Sequence, residues 1–379
     1  MPRKTYDCAV LGLGGFGSSA AYHVARRGIS VLGIEQFTPA HQFGSSHGET
    51  RIIRQAYFEH PDYVPLLLRG YELFDELEQV SGKRLFERSG LFLSGMPGGE
   101  TIQGAHLAKA QHGIPLETVD ASHYRERFPG YRIPDGFEVV YEPVAGFLHV
   151  EETVRTHLEQ AEKAGATLVF DSRVISWRKQ SDEFVITTDK AEFIARKLIV
   201  AAGAWTRDLL ASLDVPLQVR RKVLCWHPVR SNVYDVAAGA PCFFFEMPYA
   251  AFYGFPSIDH QTVKLAEHSG GKDIGSPQEL IRTELDGDGD AVRRFIRDCM
   301  PELTDRAASQ AVCMYTMSPD HHFIVDEFPA TTGLYFGAGF SGHGFKFTSV
   351  IGEILADFAE KGETDLPIDF LRLQRFRTA

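Results

Sequence analysis

The chain has 379 residues, which at roughly 150 residues per domain allows two or three domains. It is 44% hydrophobic and 23% charged, an ordinary globular composition that leaves no room for a disordered or fibrous class. With 39 basic against 50 acidic residues the net charge is −11, which argues against an electrostatic grip on nucleic acid or an anionic membrane surface.

Taken in chain order, Tyr6 to Leu11 reads as a buried strand and runs straight into Gly12-Leu-Gly14-Gly-Phe-Gly17. The glycines interrupt the apolar run too early for a signal peptide. Ser18 to Arg27 reads as a helix stopped by Gly28, and Ser30 to Ile34 as a second buried strand that ends at Glu35. Strand, glycine turn, helix, strand and acid stand in the order that dinucleotide binding needs. Gly12 permits the tight turn, Gly14 lets a pyrophosphate approach the backbone, and Gly17 lets the helix pack close with its amides toward the phosphates. Glu35 lies 18 residues after Gly17, near the usual spacing of about 20, and suits ribose hydroxyls. An acid here disfavours a 2′-phosphate, so FAD or NAD is favoured over NADP.

The next segment is Gly44-Ser-Ser-His47-Gly-Glu-Thr50-Arg51-Ile-Ile-Arg54. Arg51 and Arg54, three residues apart, would share a face on a helical turn, as a guanidinium fork for a carboxylate or as two solvated arginines. Glu151 to Lys163 is helical by pattern, followed by strands over Thr167–Phe170 and Arg173–Trp177 and a hairpin over Phe184–Thr188 and Glu192–Ala195. A separate buried strand, Leu198 to Trp205, carries Gly203. Phe243 to Phe245 read as ordinary sheet core. Asp286-Gly-Asp-Gly-Asp290 fails the full calcium-loop pattern and reads as a solvated turn, and no metal is expected. Five scattered cysteines without a CxxC pair predict neither a disulfide framework nor a zinc site. Near the end, a strand at Leu334–Phe336 feeds Gly337-Ala-Gly-Phe-Ser-Gly342-His343-Gly344-Phe-Lys346 and an amphipathic helix from Phe347 to Glu360. A glycine loop opening a helix presents amides and a positive dipole end, and Lys346 there calls for a nearby anion.

Five motifs, GLGGFGSSAAYHVARRG, SSHGETRIIRQAY, LIVAAGAWT, CMYTMSPDHHF and GFSGHGFKF, occur in one order along nearly the whole chain. In them the sequence resembles the monomeric sarcosine oxidase and N-methyltryptophan oxidase family, flavoproteins of the D-amino-acid oxidase type. The resemblance implies FAD bound through a thioether at Cys313, with Arg51 beside the flavin and Arg54 and Lys346 on the substrate carboxylate. It implies Lys264 as the oxygen-activating residue and His268, Tyr253 and Tyr315 as further active-site groups. The implied cofactor contacts are Gly12, Gly14, Gly17, Glu35, His47, Thr50, Val174, Gly203, Cys313, Gly342, His343, Gly344 and Lys346. The chain departs from the family at Met317 and Ser318 (usually Asn and Thr), at Glu49 (usually Asp), in a single histidine near His47, and over Ile258 to Thr262, which lacks a glycine-rich stretch.

The expected fold is α/β, with a Rossmann-like FAD-binding domain and a substrate domain built on a mixed, largely antiparallel sheet. The FAD-binding domain is expected over 1–85, 146–215 and 311–379, and the substrate domain over 86–145 and 216–310. The expected activity is oxidation of a secondary amine of an amino acid, such as sarcosine or another N-methyl amino acid, to an imine, with O2 reduced to H2O2. Pipecolate- or proline-type, fructosyl and D-amino acids are alternative substrates, and a non-catalytic dinucleotide-binding subunit is the alternative of a different class. The expected partners are a small amino acid and O2, without nucleic acid or membrane, and the chain is expected to be a monomer. Its last residues, Arg-Thr-Ala, are not a peroxisomal address, which leaves the cytoplasm as the default.

Overall fold

The computed structural model describes residues 4–120, 123–211, 217–329 and 331–376. Two sheets dominate it, and each follows from a different sequence pattern. The first centres on buried apolar runs in Thr5–Leu11, Val31–Ile34, Leu334–Ala338 and the end of Glu192–Val200, the mark of a parallel sheet covered on both faces. Thr167–Val169, Val31–Ile34, Thr5–Leu11, Glu192–Val200 and Leu334–Ala338 lie side by side and parallel. Helix Gly15–Ala25 follows the first strand and packs between helices Val150–Lys163 and Thr348–Lys361. The helix starts three residues earlier than its pattern suggested, because the second half of the glycine turn is already helical.

The hairpin expected over Phe184–Ala195 and the separate strand expected over Leu198–Trp205 share one element. Glu192–Val200 is a single nine-residue strand that pairs antiparallel with Glu183–Thr188 in its first half and parallel with Leu334–Ala338 in its second. Beyond it, Gly203–Trp205 is a turn of 3-10 helix, entered through Gly203 at φ +54°.

Among the described residues the second sheet has nine strands of mixed direction, and alternation along them sorts side chains between its two faces. In the register of Gln218–Pro228, Lys222 lies opposite Cys313 and Trp226 opposite Lys264. Tyr253 lies opposite Ala266, and Phe244 opposite Tyr253. One face therefore carries Lys222, Cys313, Tyr315, Lys264, Tyr253 and Phe244 toward the parallel sheet. The other carries Phe243, Phe245 and Phe252, which pack on Phe295 of helix Asp290–Cys299. Strand Ser309–Met317 pairs along its full length with Gln218–Pro228 and so belongs to this sheet. The expected domain break at 311 cuts that strand, and the expected break at 216 lies outside the described residues.

A small third sheet of Thr50–Ile53, Gly146–His149 and Phe86–Glu87 links the two. Here the expectation of a helical turn fails: Arg51 stands in a strand and Arg54 just past its end. The β-branched pair Ile52–Ile53 fits a pleated strand against Phe147 and Gly146 better than a helix. All five cysteines are free and buried. The Asp286–Asp290 turn is less solvated than expected, since Asp288 takes both arms of the buried Arg221 guanidinium at 2.7 Å. Among the described residues no helix is long and apolar enough to cross a membrane, and no cluster of ligands could hold a metal ion.

Candidate active site

A cavity of about 630 Å³ runs between the two large sheets. At one end its walls are Gly12, Gly14, Glu35, Val174 and Gly203, and at the other Arg51, Arg54, Tyr253, His268, Tyr315, Gly342, His343, Gly344 and Lys346. The structure thus brings together, on one cavity, residues spread over more than three hundred positions of sequence.

The nucleotide end is made of backbone. Gly12 sits at φ +85°, and a Cβ on Gly17 would stand 1.7 Å from the Gly12 carbonyl oxygen, so only glycine allows this turn and this helix to meet. Gly17 packs behind the loop and does not line the cavity. Glu35 is buried and accepts hydrogen bonds from Leu13 N at 2.8 Å and Phe37 N at 3.0 Å, which ties the end of the second strand to the glycine loop. Ser46, which sequence reasoning passed over, accepts from Gly15 N at 3.1 Å and lies across the loop from Gly14.

The other end is made of buried cations and rings. Arg54 is 4% exposed, donates to Ala56 O at 2.7 Å and Glu59 Oε2 at 2.5 Å, and lies over the rings of Tyr57 and Phe58. Glu59 was not singled out from sequence, although it is an acid set directly after the aromatic pair Tyr57-Phe58. The guanidinium of Arg54, with the His343 and Lys346 charges, holds the Glu59 carboxyl down at about 2 against the pull of burial. Lys346 is buried and donates to His343 O at 2.8 Å. Burial first, then the Arg54 charge, lowers its ammonium to about 7. His343 is fixed between Tyr57 OH and His321 O, and burial lowers it to about 4. His268 stands among Phe244, Tyr253 and Tyr315, with ring centroids 5.7 to 6.1 Å away, and burial lowers it to about 3. All three phenylalanines read as sheet core are buried core residues, Phe243 and Phe245 in the cluster around Phe295 and Phe244 in the one that also lines this wall.

Arg51 and Arg54 both face the cavity, but as separate groups rather than one fork. Arg51 donates to Thr50 O at 2.8 Å, to Ser45 O at 3.0 Å and to Cys313 Sγ at 3.6 Å. Cys313, Lys264, His47 and Thr50 stand behind the lining. Lys264 Nζ donates to Gly48 O at 2.5 Å, Thr50 O at 2.7 Å and Thr50 Oγ1 at 3.1 Å, so its three protons are all taken. Burial, then the Arg51 charge, holds it well below the usual lysine range. The His47 ring is buried and lowered to about 3, chiefly by that burial.

These residues fit a dinucleotide that carries a flavin. Among the described residues the Ser172 hydroxyl on the cavity wall has no hydrogen-bond partner, nor has the Thr348 hydroxyl at the start of helix Thr348–Lys361 beside Gly15, and both are buried. At the far end a Cβ on Gly342 would enter the Tyr315 ring, so backbone and ring meet there with nothing between. The match of residues 7–358 to the model named FAD dependent oxidoreductase gives the class: the chain belongs to that family and uses FAD. Within it, the chain is 38% identical over 380 residues to monomeric sarcosine oxidase of Streptomyces avermitilis, with 99% of each covered. It is 37% identical over 375 residues to N-methyl-L-tryptophan oxidase of Escherichia coli, covering 98% of this chain and 100% of the relative. Among solved structures it superposes on NikD, described as an unusual amino acid oxidase essential for nikkomycin biosynthesis, with a TM-score of 0.85 at 25% identity over 97% of both chains. L-proline dehydrogenase from P. horikoshii matches with a TM-score of 0.85 at 21% identity over 100% and 99% of the two chains, a likeness of fold.

Proposed function

We propose that the chain oxidises the secondary amine of an amino acid, an N-methyl amino acid foremost, to an imine, with reduction of O2 to H2O2. The observation that carries this reading is the pair of buried cations, Arg54 and Lys346, on the wall of a cavity whose other end is a dinucleotide loop. Among the described residues Lys346 has one hydrogen-bond acceptor, His343 O, which leaves two ammonium protons for a carboxylate. Arg54 and Lys346 would hold that carboxylate and so fix the amine among His268, Tyr253 and Tyr315, an orientation effect. FAD, when bound, accepts a hydride equivalent from the carbon next to nitrogen and delivers two electrons to O2. Water then splits the imine, which for an N-methyl substrate gives formaldehyde and the primary amino acid.

Gly12 and Gly14 would seat the pyrophosphate, with Gly17 letting the helix pack close behind them, Glu35 would hold the ribose, and Gly342 to Lys346 with the following helix start the pyrimidine edge. Val174 and Gly203 complete the cofactor wall in this reading, and His47 and Thr50 back it from behind. Cys313 would bond the flavin covalently, supported by the Arg51 guanidinium that donates to its sulfur. Lys264 would supply positive charge while oxygen is reduced. The names of the sarcosine oxidase relatives support a monomer, and we place it in the cytoplasm.

A peroxide-release screen of the purified protein over N-methyl, cyclic imino, fructosyl and D-amino acids tests the reading. Turnover confined to N-methyl amino acids is expected, and no peroxide from any secondary amine would sink it. Acid denaturation tests Cys313: flavin colour should stay with the polypeptide and leave it in Cys313→Ser.

A further inference from the structure

Lys222 is a buried lysine that the reading above leaves without work. It stands on the cavity-facing side of the mixed sheet, cross-strand from Cys313, and is 3% exposed. Its ammonium donates to three successive carbonyls, His268 O at 3.2 Å, Ser269 O, and Gly270 O at 3.2 Å. The same nitrogen lies 5.2 Å from the centroid of the Tyr315 ring. Burying an ammonium costs several kcal/mol, so an apolar residue would fill this place at less cost unless the charge served a purpose. Burial lowers it only to about 8, so it stays charged at neutral pH.

The corner that Lys222 holds is one that the backbone alone would not fix. The strand Thr262–Glu267 ends just before His268, and Gly270 and Gly271 follow at φ +58° and +94°. Three further bonds, His268 N to Ala251 O at 2.7 Å, Ala251 N to Ser269 Oγ at 2.9 Å and Ser269 Oγ to Glu267 Oε1 at 3.2 Å, tie the corner to its own strand and to the neighbouring one. Toward the cavity Lys222 is the side chain that, among the described residues, ties the corner to the backbone of His268 and to the face of Tyr315.

We propose that Lys222 is a positioning residue for the oxidation, which fixes the imidazole of His268 and the ring of Tyr315 relative to each other where the reacting amine would lie. The inference rests on the amine-oxidase reading for its meaning, since His268 matters to turnover only if the amine is held beside it.

The test uses flavin-loaded Lys222→Met and Lys222→Arg, with Lys222→Gln as a neutral donor should the methionine variant fail to fold. The neutral variants should lose about tenfold in kcat, while KM, set by Arg54 and Lys346 on other elements, moves less than about twofold. The arginine variant, which keeps charge and donors, should return kcat to within about threefold of the parent. A role in folding alone would lower the melting temperature and leave this split and rescue unseen. The NMR titration of the His268 imidazole gives a readout that needs no substrate. Loss of the neighbouring cation should shift its signals and raise its midpoint by about one pH unit. Parental kcat in a neutral variant, or arginine no better than methionine, overturns the proposal. If the parent oxidises no secondary amine the oxidase reading falls, and an unmoved His268 titration then overturns the positioning claim independently.

Discussion

The helix layer and the substrate end of the cavity hide their titratable groups differently. In the helix layer burial keeps histidines uncharged: His157 is lowered to about 3, and His23 well below its ordinary value. Around the substrate end burial lowers His268, His343 and His47 as well, but the sheets add cations, the half-buried Arg51 and the buried Arg54, Lys222, Lys264 and Lys346, tied to carbonyl oxygens, a thiol sulfur and one carboxylate. A dinucleotide brings its own charge and needs backbone amides, so neutrality suffices there. A substrate carboxylate and an oxygen that takes up electrons need fixed positive charge, and the desolvation that makes it expensive also strengthens it. The cations give the substrate end a weakness to base that the helix layer lacks, while acid bears on the buried histidines of both.

The largest effect is expected where backbone does the work. Gly17→Ala places a Cβ inside the Gly12 carbonyl, and no side-chain movement relieves a clash between two backbone segments. The variant should copurify without flavin, read from the absence of absorbance near 450 nm, and lose about 4 kcal/mol in denaturant unfolding. A flavin-loaded, stable Gly17→Ala protein would mean that the loop and helix do not meet as described.

This end was legible in the sequence because its signals are local: strand, glycines, helix, strand and acid within residues 5–35. The substrate end was legible only as separate residues, since its geometry depends on the antiparallel register that sets Cys313 opposite Lys222 and Lys264 opposite Trp226. Periodicity says nothing about such a register, which is why Lys222 passed unnoticed. The helical reading of Arg51 and Arg54 failed for a related reason. A three-residue spacing over a short polar segment carries little weight beside the β-branched Ile52–Ile53 pair and its partner strand.

At the substrate end, Arg54→Ala should raise the substrate KM by about a hundredfold, since a charge-assisted pair contributes up to about 3 kcal/mol. An unchanged KM would remove Arg54 from carboxylate binding. The lysine gives a sharper test because it titrates in range. With its ammonium lowered to about 7, Lys346 is charged below that pH and neutral above it, so KM should climb by up to about tenfold per pH unit above 7. Lys346→Arg should flatten the climb, because a guanidinium does not titrate there. A KM that stays level from pH 6 to 9 in the parent would mean that no carboxylate-binding lysine titrates in this range.

The smallest expected effect tests the neutral half. His157 lies on helix Val150–Lys163 against Tyr22 of the first helix and is 1% exposed. In the unfolded chain its imidazole takes a proton near 6.5, whereas in the folded protein burial delays this to about 3. The folded-state value is the lower one, so between these limits the unfolded state binds the additional proton and stability falls as the pH falls. The slope for one histidine is about 1.4 kcal/mol per pH unit, which amounts to roughly 2.7 kcal/mol between pH 6.5 and 4.5. Replacing His157 by leucine removes the titrating group while filling much of the same volume. Urea unfolding of parent and His157→Leu at pH 7 and pH 4.5 separates this loss from that of carboxylates, which both proteins share. The variant should lose about 2 to 3 kcal/mol less than the parent across that interval. Equal losses would mean that His157 takes its proton without unfolding, and that the helix layer is not the neutral counterpart of the charged sheet face.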